Sequence, residues 1–529
     1  MGMTPTFCSR CGDAVEEECD PWDELAELDI LLERLRLKRY DLKRKINRLQ
    51  SPIVRQLPPD VTSTIFEFCL PDFTDQPLSS YTIDDLSIPL SLGAICSYWR
   101  EIAWSTPSLW SSLVVRTSSK HDSHIATGIA REWLARSGQL PLSIHILTIF
   151  YDKAAVLALI DVINQYSTRW SDLDLFMPSH FYEHFHATDN YAPILKSIRF
   201  RSSKARRLNF QLTCPHLERA SFPHFPMDGT NIQWDNLTHL TLHSISIIDS
   251  FIILRKTPRL VFCKVSGSYP RLREPSRGAP VLTSMRSLQL QSVIRSSGED
   301  FLNNLIAPHL EEFSLPRYHI PSIEVITSFL RISACSLHSF SMIFSIFPPS
   351  FEGFMKLLQS MPSLNRLSMI SETTTTRYFE TTPKDYYDPR NILQLVAKVL
   401  SSQNTSPSLQ QGFLPNLKIL EYTGKLYLRP GNYDDLYSLP PADNAIHGPL
   451  HLLKLDLHPA TRIPKNMISY LFSLVERGVT VNVLSKSEDI LQSSIDYYGA
   501  GKILCAGIGL ITWTRVFFLD FCEVSQIEK

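Results

Sequence analysis

At 529 residues the chain exceeds what one compact core holds, so the length predicts either about three domains or a repeat array growing in one dimension. Its 52 Lys and Arg against 53 Asp and Glu leave a formal net charge of -1, so no global field draws nucleic acid or an anionic membrane, and neither is expected as a partner. The 44% hydrophobic content is ample for a core. Ten scattered cysteines, and a start (MGMTPTFCSRCG) lacking the charged-then-apolar layout of a signal peptide, predict a reducing cytoplasmic or nuclear setting.

Residues 1–50 read as an acidic start followed by a helix with heptad spacing. Leu25, Leu28, Leu32, Leu35, Arg39, Leu42, Ile46 and Leu49 follow one another by alternating steps of three and four, and Arg39 alone interrupts the apolar seam. Two outcomes are open for this stripe: self-association through residues 25–49, or docking on the rest of the chain.

Residues 51–110 predict a small helical domain. In SPIVRQLPPDVTSTIFEFCLP, Leu57, Val61, Ile65 and Phe68 share one helical face, Pro58 and Pro59 suit a first turn, and Pro71 stops the helix. A polar linker follows, and then Ile88, Leu92, Ile95, Cys96, Trp99, Ile102 and Ala103 predict one second helix, ended by Thr106-Pro107. Helices this short do not persist alone in water, so they must pack on each other and on something further. Trp99, Trp104 and Trp110 are expected to supply that surface, at the joint with a first strand over Leu113–Val115.

The order Leu57-Pro58-x-Asp60-Val61-x-x-x-Ile65-Phe66, then Leu92-x-x-Ile95-Cys96-x-x-Trp99-Arg100-x-Ile102-Ala103, then Thr106-Pro107-x-Leu109-Trp110, resembles the F-box, in particular the F-box-like proteins abundant in mushroom-forming fungi. The likeness covers residues 51 to about 115 and departs from the family in its long linker, Asp72 to Ser87. A preceding heptad helix and following leucine-rich repeats belong to the same layout. The resemblance implies docking on a Skp-type adaptor, and through it a cullin-RING ubiquitin ligase, by Leu57, Pro58, Ile65, Phe66, Ile95, Cys96 and Trp99. It also implies that an unknown target protein is held by the rest of the chain, which itself does no chemistry and needs no cofactor. Aromatic positions such as Trp99 serve equally well in a small internal core.

From residue 111 to 487 the chain repeats Pro-x-Leu-x-x followed by alternating apolar positions: PILKSIRF, PHLERASF, PRLVFCKV, PHLEEFSL, PSLNRLSM and PNLKILEY, with variants such as DNLTHLTL and CSLHSFSM. The first apolar residues, from Leu195 to Leu364, recur every 20 to 27 residues or so, a leucine-rich-repeat period. Each unit predicts an inward-facing short strand after a proline that ends the preceding helix. Stretches such as REWLARSG, EDFLNNLIAP, FEGFMKLLQSMP, NILQLVAKVLSS and NMISYLFSLVERG predict outer helices, and the alternation requires a parallel sheet. Outward strand positions, among them Thr241, Gln289, Ser314, Ser368, Glu421 and Asp456, are expected on the open face. The fold class is therefore α/β: a heptad helix, a helical F-box-like domain and a solenoid with strands inside and helices outside.

Two tyrosine-rich insertions, after Met369 and after Tyr422, offer Tyr386, Tyr387, Tyr427, Tyr433 and Tyr437 as candidate target contacts, because Tyr brings large contact area at small entropy cost. Residues 488–529 form an apolar tail in which Arg515 interrupts the longest run, too short for a bilayer, so a cap or an unstructured tail is expected.

Two rival readings remain: an interaction scaffold with no role in ubiquitylation, and a zinc hydrolase. The latter rests on His180-Phe-Tyr-Glu183-His184, the spacing of an inverted zinc-peptidase motif, for which a solvated loop is the expected alternative. Cys8-x-x-Cys11 with Cys19 lacks a second ligand pair, so no metal site is expected there either. The basic cluster Lys196, Arg199, Arg201, Lys204, Arg206 and Arg207 fits a phosphate, an acidic target or a solvated edge.

Overall fold

The computed structural model describes residues 21–50, 56–71, 82, 87–117, 120–149, 151–201, 212–223, 232–243, 245–267, 278–291, 295–315, 320–344, 351–371, 413–424, 450–457, 465–476, 478–485 and 488–498. The chain divides into two compact units, Met1–Leu260 and Val261–Lys529. The expected helix at 391–402, the tyrosine-rich insertions, Cys8, Cys11, Cys19 and the apolar run 503–519 lie outside the described residues.

The first unit opens with α1 (Pro21–Gln50), followed by α2 (Pro59–Phe68), α3 (Ile88–Ile95) and α4 (Ser97–Ser105). Pro59 occupies the first turn of α2, where its missing N–H costs nothing, and Asp60 complements the helix dipole there. The single helix expected over 88–103 is two. At Cys96 the backbone turns extended (φ -158, ψ 168), and the Cys96 sulfur accepts the Trp99 N–H at 3.5 Å as the cap of α4. A continuous helix would hold Leu92 and Ile102 about 15 Å apart along its axis. The break folds α3 against α4, so that Leu92 and Gly93 are buried as well as Ile102 and Ala103.

After a short 3-10 turn over Pro107–Trp110 comes β1 (Ser112–Thr117), then α5 (Lys120–Arg136), β2 (Leu142–Thr148), α6 (Lys153–Asn164), β3 (Trp170–Phe176), β4 (Ser197–Arg201), β5 (Arg219–Pro223), β6 (His239–His243) and α7 (Ile247–Arg255). Within the run β1 to β6 neighbouring strands pair in parallel, β1 with β2 through β5 with β6. The register aligns Leu113, Ile144, Leu173, Ile198, Ala220 and Leu240 in one buried row, as period-two alternation requires.

The second unit continues the pattern with β7 (Phe262–Ser266), β8 (Ser287–Gln291), α8 (Arg295–Asn303), β9 (Glu312–Leu315), α9 (Ile323–Ser333), β10 (Ser339–Phe344), α10 (Phe351–Gln359), β11 (Arg366–Ser371), β12 (Ile419–Gly424), β13 (Leu452–Leu457), α11 (Lys465–Glu476) and β14 (Thr480–Ser485). These strands are parallel; the short β15 (Glu488–Asp489) pairs antiparallel with β14 and leads into α12 (Ile490–Tyr498). Cys263, Leu288, Phe313, Phe340, Leu367, Leu420 and Leu453 form the equivalent buried row.

The repeat motif owes its form to a turn. In Pro215, Pro258, Pro308, Pro362 and Pro415 units the motif leucine N–H donates to the carbonyl three residues back, as from Leu217 to Cys214 at 3.3 Å and Leu310 to Ala307 at 3.3 Å. Proline is thus the second residue of a β-turn, where its fixed φ is already correct. Its expected role of ending the preceding helix is secondary. No helix among the described residues is long and apolar enough to cross a membrane.

Candidate functional site

The side chains that join the helical segment to the sheet are aromatic. Trp110 is buried, its indole N–H donates to the Ala103 carbonyl at 2.7 Å, and its ring meets Trp104 and Trp133 edge-on at 5.2 and 4.8 Å. Trp133, on α5, donates in turn to the Ser112 carbonyl of β1 at 3.0 Å. The Arg136 guanidinium lies over the Trp104 and Trp110 rings at 5.6 and 5.2 Å, a cation–π placement that keeps its charge at the surface while its stem covers the aromatics. Trp99, expected at this joint, packs instead on Phe66 of α2, ring to ring at 4.9 Å.

The remaining expected adaptor contacts separate into two groups. Phe66 is 1% exposed and belongs to the internal packing of the helical segment, and Cys96 and Trp99 are half-buried in it. Leu57 is half-buried, while Pro58, Ile65 and Ile95 face outward. The stripe expected to form the packing face of α2 is the exposed one: Val61 is 40%, Ile65 45% and Phe68 86% exposed, and Thr62 and Phe66 bury the opposite side. Position 62 solves its own polarity, its hydroxyl donating to the Pro58 carbonyl at 3.1 Å. Leu90 and Ile95 on α3 add two more exposed apolar side chains. Val61, Ile65, Phe68, Leu90 and Ile95 thus leave large apolar side chains exposed on two short helices. The signal for Phe68, Val61 and Leu90 was their apolar type on helices too short to bury two faces each.

The open face of the sheet is polar. In register across the second unit stand Lys264, Gln289, Ser314, Ser341, Ser368, Glu421 and Lys454. Arg366 holds Glu421 at 2.8 Å. In the first unit Asp174, on β3, is the charged centre. Arg201 grips both its oxygens at 2.8 and 2.7 Å, Arg199 approaches at 3.2 Å, and His145 Nδ1 stands 4.0 Å away. Burial opposes the charge, but the neighbouring His145 and the two guanidinium groups outweigh it and hold the carboxyl below its ordinary range. The basic cluster is thereby partly neutralised from within, leaving Lys204, Arg206 and Arg207 outside the described residues.

His180, Glu183 and His184 lie on a 3-10 turn, Ser179–His184, in place of the expected loop. With three residues per turn, positions four apart point about 120° away from each other, so the two imidazoles do not share a face as a zinc motif on an α-helix demands. Between them Tyr182 is buried, its hydroxyl donating toward the Leu175 and Arg201 carbonyls at 3.0 and 2.5 Å, and burial pushes its phenol well above the ordinary value. Among the described residues no group of three His, Cys, Asp or Glu is placed to hold a metal ion. Cys214 and Cys263 are buried thiols pushed up to about 12, the protonated form that neither attacks nor ligates.

The class that fold and faces define is an α/β chain with parallel strands, an open polar face and an exposed apolar helical stripe. No protein-family model matches this chain, and no curated protein matches it.

Proposed function

We propose that this chain is the substrate-recognition subunit of an SCF-type cullin-RING ubiquitin ligase. Segment 51–110, read as an F-box, docks on a Skp-type adaptor, and the parallel array, read as leucine-rich repeats, holds the protein to be ubiquitylated. The chain itself contributes binding and placement, and the ligase partners supply the chemistry. The observation that carries this reading is the outward stripe of Val61, Ile65 and Phe68, opposite a buried Phe66 that packs on the half-buried Trp99. Burying three such side chains against a partner is worth several kcal/mol at about 25 cal/mol per Å² of apolar surface. The edge-on tryptophans Trp104, Trp110 and Trp133 support a rigid joint between adaptor-docking and target-holding parts, the geometry a ligase receptor needs.

Co-purification with a Skp-type adaptor tests it. The variant I65D/I95D, at positions 45% and 60% exposed, keeps the fold and loses adaptor capture by at least about tenfold, since charge on an apolar interface goes unpaired. Undiminished capture by that variant, or no capture by the parent chain, overturns the reading.

A further inference from the structure

Helix α1 is exposed along its described seam, from Leu25 to Ile46. Leu28, Leu32, Leu35, Leu42 and Ile46 each remain about half exposed, at 49 to 52%. A helix with so much apolar surface in water is not held by propensity alone and calls for a partner. Its contact with its own chain lies elsewhere: Arg44, which pairs with Glu101 of α4, sits at the heptad position diametrically away from the seam. The seam is therefore turned away from the side that the chain's own α4 holds.

The charge of α1 selects the occupant. Residues 21–33 carry five acids (Asp23, Glu24, Glu27, Asp29, Glu33) and no base, whereas 34–48 carry eight bases (Arg34, Arg36, Lys38, Arg39, Lys43, Arg44, Lys45, Arg48) and one acid, Asp41. A second identical helix running parallel sets acid on acid, base on base, and Arg39 on Arg39. Running antiparallel, it lays each acidic half along a basic half. In that register Leu28 faces Ile46 of the second copy, Leu32 faces Leu42, and Leu35 faces Arg39, which separates the two Arg39 side chains by four residues, about 6 Å along the axis; like charges then meet only at the centre of the pair, where Arg36 and Lys38 each face their own counterparts. Flanking that seam, Asp29 meets Lys43 of the other copy, twice per dimer.

We infer that α1 is an antiparallel self-association helix whose occupant is a second copy of this chain. The pairing uses a face distinct from the Val61–Ile65–Phe68 stripe and does not depend on what that stripe binds.

Sedimentation equilibrium of the full chain decides it, because the two helix orientations give opposite signs. In the antiparallel pair D29K sets Lys against Lys43, and K43D sets Asp against Asp29, so each variant alone weakens the dimer by about tenfold. The double variant D29K/K43D, and an equimolar mixture of the two single variants, return to within about threefold of the parent, which also shows that the variants are folded. In a parallel pair the flanking neighbours are Glu24 with Asp29 and Lys38 with Lys43, so each single variant strengthens association. Strengthening by the single variants, failure of the mixture to recover, or a parent chain that stays monomeric at about 100 μM overturns the inference.

Discussion

Gly93 is where a single missing carbon matters most. A Cβ built there would lie 2.0 Å from Cζ3 and 2.6 Å from Cη2 of Trp104, so α3 approaches the indole as closely as it does only because the residue has no side chain. Trp104 cannot retreat freely, being edge-on to Trp110 and covered by Arg136. G93A is therefore expected to cost about 1–3 kcal/mol, the range for overpacking a filled core, and to lower the thermal midpoint measured by calorimetry or circular dichroism. A companion change at an open position, G128A, where nothing lies within 4 Å, is expected to leave the midpoint unchanged or to raise it slightly, since Gly128 sits within helix α5. The contrast isolates the contact with Trp104 from any general effect of removing a glycine.

The Asp174 cluster belongs to the scale of elements, because it ties β2, β3 and β4 together through His145, Asp174 and the Arg199–Arg201 pair. The folded state holds this carboxyl below its ordinary range, so it contributes stability that is present above the unfolded value, near pH 4, and is lost as pH falls through the lower folded value. D174N is expected to destabilise the first unit at pH 7 and to flatten the acid limb of its stability curve below about pH 4, as measured by urea unfolding at several pH values. An acid limb unchanged in D174N would show that the charge is not what Arg199 and Arg201 answer. The same scale explains why α3 and α4 are separate helices. One continuous helix would hold Leu92 and Ile102 about 15 Å apart, whereas the extended Cys96 lets α3 fold back on α4 and both side chains become buried.

At the scale of the whole molecule the proposal requires two separable binding parts. The I65D/I95D variant is expected to keep its grip on the cellular target while ubiquitylation of that target stops. Removing the tyrosine-rich stretch 427–437, which lies outside the described residues, is expected to spare the adaptor and weaken the target. Pull-down of each variant, probed for both partners, checks this; a folded I65D/I95D chain that loses both would show that docking and capture are one surface. Separation is physically reasonable because each strand of the array is paired with its immediate neighbours and does not depend on remote ones.

Much of the array was legible from residue order alone. A Pro-x-Leu turn followed by alternating apolar residues at 20 to 27-residue spacing admits one arrangement, parallel strands with Leu217, Leu310 and their equivalents turned inward, because both the turn and the alternation are local. The long helix Pro21–Gln50 was legible for the same reason. What tertiary structure decided is which of two apolar faces each short helix buries. Phe66 and the stripe of Val61, Ile65 and Phe68 are equally apolar by type, and only the position of Trp99 draws Phe66 inward and leaves the stripe outside. Likewise Arg199 and Arg201 read equally as a phosphate contact, an acidic-target contact or a solvated edge until the strand register sets Asp174 opposite Arg199 and within reach of Arg201, 25 and 27 residues away along the chain. A pairing across strands is set by register, and register comes from the packed rows of the sheet.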